Sequence, residues 1–337
     1  VTVSSDVART RAPSIRDVAR LAGVSHQTVS RVMNDHPSIR DETKERVERA
    51  MATLKYKPNR AARMLVTSRS HTLGILLATI GEYGPGAAIA AFQEEARARG
   101  YTVTTANIPS ASPEDIAEGI RVLVGQGVEG IAVSAPQIRT FDVIAGMDID
   151  VPFVSLQSMG SVVRAIDPHQ FAGGRAAAEH LIELGHTSIA HVAGPRDWIE
   201  ADARMRGFME AISDADLPTM PPIAGDWTAE FGFFAGRELL RHRDFTAVFA
   251  ANDLMALGLL HAFRDAGLDV PRDISVVGFD DVPIAAHLWP PLTTIHQDFE
   301  ALGRSAIAAL LGDADSGSDE LSTRLIVRSS TAPPSSR

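Results

Sequence analysis

Between residues 14 and 57 the apolar positions repeat at helical spacing in three short runs. Ile15, Val18, Ala19 and Ala22 make the first, and Gly23 breaks it. Val29, Val32 and Met33 make the second. Val47, Ala50, Met51 and Leu54 make the third, over about Asp41 to Leu54. Ser14 and Ser25 stand where N-caps are needed, and Asp17 falls in a first turn, where a carboxylate suits the helix dipole. Each run is too short to be stable alone, so together they predict one small helical domain with a shared core. At about 100° per residue, the second helix gathers Gln27, Ser30, Arg31 and Asn34 beside His26, away from the apolar stripe. Helix, glycine turn and helix with a polar face is the helix-turn-helix arrangement, although an ordinary amphipathic helix pair shares the periodicity.

From Thr72 the texture changes. Strand-like runs at 73–80, 101–107, 130–134, 152–156, 188–193, 247–251, 274–278 and 293–296 alternate with helix-spaced stretches such as 87–99, 113–126, 171–184, 253–266 and 299–311. Alternation of this kind predicts an α/β body of parallel sheets with helices on both faces, long enough for two such layers. Pro58 ends the third helix, and residues 59–65 form a short segment of helical propensity. The Ser/Pro-rich stretch 329–337 predicts a disordered tail without the leucine heptads of a coiled coil. Residues 1–13 lack an apolar core and read as a flexible arm, not a secretion signal.

Charge sharpens this division. The net charge of -10 looks wrong for a nucleic-acid binder. Residues 1–69, however, carry 14 basic and 7 acidic residues, against 18 and 35 in the remainder. A basic head on an acidic body is expected of a separate polyanion-binding module. The head's polar face suits base edges, since Arg forks onto guanine O6/N7 and Gln or Asn pairs with adenine N6/N7. There are no cysteines, which excludes disulfides and thiolate metal sites and fits the cytoplasm. No apolar run reaches the ~20 residues of a membrane span. No phosphate loop, Gly-x-Ser-x-Gly or cysteine nucleophile suggests an enzyme, and no metal or cofactor is expected.

Ile15-Arg16-Asp17-Val18-Ala19, Gly23-Val24-Ser25, Thr28-Val29-Ser30-Arg31-Val32 and Lys57-Pro58-Asn59-Arg60-Ala61-Ala62 resemble the DNA-binding head of the LacI/GalR family of bacterial repressors. The body is most similar to its lactose-repressor branch. The resemblance implies that His26, Gln27 and Arg31 choose operator bases, with Ser25, Thr28, Ser30, Asn34 and Asn59 at the same interface. It implies a hinge helix that orders on DNA and wedges Leu65 into the minor groove, although a plain linker helix fits the segment as well. It also implies a body of two lobes, placed at 70–166 with 295–318 and at 167–294 with 319–330. The domains expected are thus a head at 14–57, a hinge at 58–69 and a body at 70–337, in a homodimer on double-stranded operator DNA.

In open α/β sheets ligands sit beyond the carboxyl ends of the strands. Asn252 and Asp253, Asp280 and Asp281, and Gln297 fall at such ends. Trp227 or Trp198 offers an aromatic plate for the C–H face of a sugar, and carboxylates and amides suit its hydroxyls. The resemblance places effector contacts on Arg204, Trp227, Asn252, Asp280, Gln297 and Phe299, and Tyr83 stands in a loop able to face the ligand. Blander roles exist for each: Asn252 as a helix cap, Asp280 and Asp281 as turn formers, Trp227 as core, Arg204 as a partner of Asp202. One position departs from the branch, where Leu156 stands for a sugar-binding Asp. The expected function is a repressor of carbohydrate genes that responds to a sugar or sugar phosphate; the alternative is a carbohydrate-binding protein without DNA binding.

Overall fold

A computed structural model describes residues 13–33, 36, 38–56, 69–78, 83–135, 137, 140, 143–144, 146–147, 149–156, 168–242, 244–313 and 323–335. The chain divides into two compact units, residues 1–70 and 71–337.

In the first unit, α1 (Ile15–Ala22), α2 (His26–Met33) and α3 (Asp41–Thr53) share one core. Val18, Ala19, Ala22, Val29, Val32, Val47 and Ala50 fill it. The Asp17 carboxylate accepts from the Ser14 backbone N–H at 2.9 Å and its hydroxyl at 2.6 Å, which ties down the start of α1. Gly23 closes α1 at φ 65°, a left-handed conformation that favours glycine. Ser25 Oγ accepts from the Thr28 N–H at 3.1 Å and caps α2.

The second unit holds two sheets. The first contains β1 (Thr72–Leu77), β2 (Thr102–Asn107), β3 (Ile131–Ser134) and β4 (Phe153–Ser155) in the order β2-β1-β3-β4, all parallel. Helices α4 (Tyr83–Ala98) and α5 (Pro113–Gly125) connect its strands. The second contains β5 (Ile189–Ala193), β6 (Ile223–Ala224), β7 (Ala247–Ala250), β8 (Ser275–Asp280), β9 (Thr293–His296) and β10 (Arg324–Ile326) in the order β10-β9-β8-β7-β5-β6. Only β10 runs antiparallel to its neighbour within these pairings. Its helices are α6 (Pro168–Glu183), α7 (Ile199–Asp214), α8 (Ala229–Leu239) and α9 (Asp253–Asp265). Helix α10 (Phe299–Leu311) returns to the first lobe, where Ala306, Ile307 and Leu310 join the core of Leu73 and Ile75.

Two expectations need correction. β9 pairs with β8 as far as His296, so the second sheet extends past the boundary expected at residue 294. Hydrophobic alternation identifies a strand but not the sheet it joins. The stretch 329–335 is built into the second lobe. Ser330 is fully buried; its hydroxyl donates to Val276 O at 2.6 Å and accepts from Thr293 N at 2.7 Å. Ala332 N donates to Ser275 Oγ at 3.0 Å, and buried His186 lies 3.0 Å from Ala332 O through Nε2. Serine in this stretch satisfies sheet groups, which composition alone does not reveal.

Candidate functional site

On α2 the structure leaves His26, Gln27 and Arg31 exposed and buries Val29 and Val32 beneath them. Ser25 is exposed as the cap, and Thr28 and Ser30 are half-buried on the flanks. The expected stripe and polar face therefore separate as periodicity requires. Asn34, Asn59 and Leu65 lie outside the described residues, as does the hinge apart from Arg69.

In the body, the ends of the strands converge on a pocket with a cavity of about 50 Å³, partly open to solvent. All eight expected effector residues line it: Tyr83, Trp198, Arg204, Trp227, Asn252, Asp280, Gln297 and Phe299. Tyr83 opens α4 after β1, and Trp198 precedes α7 after β5. Trp227 follows β6, Asn252 follows β7, Asp280 ends β8, and Gln297 follows β9. Each sits at a carboxyl end because that is where a parallel strand hands the chain to its connection.

Arg204 is the buried centre of the site, 6% exposed. Its place on α7 depends on close packing against α6, where a Cβ on Gly174 would run into the Arg204 carbonyl. Its Nε donates to Gln170 Oε1 at 2.7 Å, Nη1 donates to the Ala251 carbonyl, and Nη2 lies 3.3 Å from Asp280 Oδ1. Gln297 Nε2 donates to the same Asp280 oxygen at 2.7 Å, and Gln170 Nε2 donates to Gln297 Oε1 at 2.6 Å. Arg204, Gln170, Gln297 and Asp280 thus close a ring. The guanidinium also lies over Phe279, 3.8 Å from the ring centre, and 5.5 Å from that of Trp227. The Arg204–Asp202 pairing weighed from sequence does not form, and Asp202 instead meets Arg206 at 2.7 Å.

Burial pushes the Asp280 carboxyl up to about 6, against the opposing pull of Arg204 and Gln297. Burial and then the charge of Asp280 push Asp253 up to about 8. Asp253 takes Thr294 Oγ1 at 2.6 Å and Val282 N at 2.8 Å, which holds the turn beyond Asp280. Asn252 serves two structural contacts from the pocket wall. Its Oδ1 caps α9 by accepting from Met255 N at 2.8 Å, and its Nδ2 donates to Trp227 O at 3.0 Å. Trp227, Asp280 and Asp281 adopt φ of 72°, 104° and 50°, a region that favours glycine and costs other residues about 1–3 kcal/mol each. Trp227 packs on Gly194, where a Cβ would collide with the indole. Its centroid is 5.2 Å from that of Trp198, and its buried Nε1 has no hydrogen-bond partner among the described residues.

Among the polar lining residues, Gln170 and Glu200 are the two that the sequence reading misses. Both are polar positions at the start of buried helical stripes. Gln170 precedes buried Gly173, Gly174, Ala177, Ala178 and Leu181; Glu200 precedes buried Ala203, Arg204, Gly207, Phe208 and Ala211. That pattern was a readable signal. His191, by contrast, is core: it stacks 4.7 Å from Phe249 and 4.8 Å from Phe208, and burial lowers it to about 4. Among the described residues no cluster of three or more His, Asp or Glu could hold a metal, and no helix is long and apolar enough to cross a membrane.

Residues 14–59 match the bacterial regulatory proteins of the lacI family, and residues 178–331 match a periplasmic binding protein-like domain. The chain is 34% identical over 333 residues to the lactose operon repressor of Escherichia coli K12, covering 96% of this chain and 92% of that protein. This chain belongs to the LacI family. It is also 36% identical over 340 residues to the transcriptional regulator CelR of Thermobifida fusca, covering 95% and 96% of the two chains. Among solved structures, the Lac repressor bound to ONPG in its repressed state aligns with a TM-score of 0.84 at 33% identity, covering 95% of this chain and 100% of that one. The family makes the chain a DNA-binding transcriptional regulator, and the α1–α3 unit is its helix-turn-helix. Its named relatives are regulators, not enzymes.

Proposed function

We propose that this family member represses carbohydrate-utilisation genes and leaves its operator when a sugar fills the pocket between the lobes. The observation that carries the reading is the ring of Arg204, Gln170, Gln297 and Asp280 beside the Trp198–Trp227 pair. Carboxylate and amide groups accept and donate to vicinal hydroxyls, and indole faces take the C–H side of a pyranose. The relatives agree in kind: the lactose and ribose operon repressors of Escherichia coli K12 are named for sugar operons, and CelR has been solved with cellobiose.

In this reading the chain works as a homodimer in the cytoplasm, with two heads on a pseudo-palindromic operator. His26, Gln27 and Arg31 enter the major groove, flanked by Ser25, Thr28, Ser30 and Asn34. Residues 58–69 act as the hinge, with Leu65 wedged in the minor groove. The effector competes for Asp280 and Gln297. The former ends β8, and the latter begins the passage from β9 to α10 in the other lobe. Binding there re-sets the angle between lobes and lowers operator affinity.

Fluorescence anisotropy on labelled DNA from the gene's own flanks, with and without a panel of sugars, tests it. The reading expects binding in the absence of sugar and release by at least one sugar. Binding that no sugar changes would overturn the effector, and absence of binding would overturn the operator.

A further inference from the structure

Asp280 reaches the pocket from a backbone turn that its own residues disfavour. Asp280 and Asp281 are consecutive, and both stand at positive φ, 104° and 50°. Neither is glycine, so contacts around the turn must hold it. On one side Asp253 does so, by accepting from the Val282 N–H at 2.8 Å. On the other side the holder is Arg328, which is not among the residues lining the pocket.

Arg328 stands two residues past β10, on the segment that continues into the second lobe at Ser330. Its Nη2 donates to Asp281 Oδ1 at 2.6 Å and its Nη1 to the Leu292 carbonyl at 2.8 Å. Its backbone N–H donates to Thr293 Oγ1 at 3.0 Å. The side chain therefore bridges the end of β8 and the start of β9. The other Asp281 oxygen lies 3.1 Å from His296 Nδ1, at the far end of β9. The Arg328 and Asp281 side chains are 19% and 16% exposed, and a pair so shielded is screened much less than a surface one.

The ends of β8 and β9 thus carry two contacts side by side. Asp280 meets Gln297 in the pocket, and Asp281 meets His296 behind it. The two aspartates share one planar peptide unit, so a rotation that moves Asp281 carries Asp280 with it.

We propose that Arg328 is a positioning residue for the effector: by gripping Asp281 from behind, it keeps the neighbouring Asp280 carboxylate aimed into the pocket. The inference rests on the effector reading above. Without the guanidinium, water draws Asp281 outward and the turn relaxes toward a commoner backbone conformation. Asp280 then leaves Gln297 and Arg204. The segment after β10 acts on the ligand in this way without touching it.

Two measurements test this. The first needs no sugar: crystal structures of Arg328→Met and of Ser330→Ala, a change in the same segment that leaves Arg328 in place. Asp280 should lie away from Gln297 and Arg204 in the first and keep both in the second. The other measurement is isothermal titration of the full chains with glucose, galactose, xylose and cellobiose. A sugar that binds the unaltered chain should bind Arg328→Met roughly tenfold or more weaker. It should bind Ser330→Ala as before, although both variants melt at lower temperature. Arg328→Lys keeps a charge on Asp281 and should recover part of the affinity. If Arg328→Met does not fold, Asp281→Asn serves, since asparagine tolerates the left-handed turn and removes only the charge. An Asp280 still seated on Gln297 in Arg328→Met overturns the inference. So does an equal loss of sugar affinity in Ser330→Ala, which would reduce the effect to stability alone. Both results leave the sugar effector standing. Failure of every sugar to bind, with the shift of Asp280 present, counts against the sugar effector and upholds the positioning.

Discussion

Gln170 donates through Nε2 to Gln297 Oε1 at 2.6 Å, and the two residues come from opposite ends of the second lobe's sequence. Gln170 lies in the first turn of α6, and Gln297 lies between the last parallel strand and α10, which belongs to the first lobe. The bond therefore joins two places where the chain enters and leaves that lobe. Through Arg204 and Asp280 the same pair forms one side of the pocket.

Replacing Gln170 by Leu removes the acceptor of Arg204 Nε and the donor to Gln297. We predict a loss of about 1–3 kcal/mol of stability, near-normal operator affinity and a weakened effector response. Denaturant unfolding and operator anisotropy with and without effector check the two parts separately.

Arg204→Ala strands Asp280 in a dry site. Breaking a buried pair in this way costs about 3–5 kcal/mol, so the expected outcome is a lower Tm together with no response to effector. Arg204→Lys should not restore the response, because a point charge cannot serve Gln170, Ala251 O and Asp280 at once. Rescue by lysine would remove the forked geometry from the account.

Asp253 and Asp280 make a pH prediction. Burial raises both folded values, to about 8 and about 6, above the ordinary 3.8. Between the unfolded and folded values the native state holds more protons than the unfolded chain. Their stabilising contribution is therefore full below about pH 4 and is lost as pH rises, through about 6 for Asp280 and through about 8 for Asp253. In thermal melts from pH 5 to pH 8, the wild-type chain should lose stability relative to Asp253→Asn. A constant gap between the two melts would place the proton elsewhere.

Removing residues 329–337 uncovers groups that the strand neighbours leave unserved. Thr293 N and Val276 O lose Ser330, and His186 loses Ala332 O. Each buried group left unmet costs about 1–3 kcal/mol, so the truncated chain should unfold at clearly lower denaturant while the intact head still binds DNA.

How far the sequence was readable depends on how local the determining physics is. The head was legible because its periodicity, its serine caps and Gly23 all act within a few residues. Val18, Val29 and Val47 are buried where the spacing puts them. Polar residues at strand ends were legible too, since parallel topology forces ligands and strand ends together. What escaped depends on partners far along the chain. Gln170 meets Gln297 across 127 positions. Ser330 is fixed by Thr293 and Val276, and no local pattern distinguishes it from a serine in a loose tail. Asn252 shows a different limit: capping α9, holding Trp227 and lining a pocket call for the same side chain, so sequence could not rank those roles.

Arg31 tests the reading helix. It is exposed on α2 above buried Val29 and Val32. Arg31→Ala should cost roughly 1–3 kcal/mol and relax preference at one base pair. A competition series of single-base operator variants reads this out, and an unchanged preference profile would take Arg31 out of base contact.

In the proposed function pocket and operator are energetically coupled, and linkage makes the coupling reciprocal. The direct measurement is the affinity of the effector for the full chain, free and saturated with operator DNA. Operator DNA should weaken the effector by the same factor by which the effector weakens the operator. Equal effector affinity in the two states would contradict it.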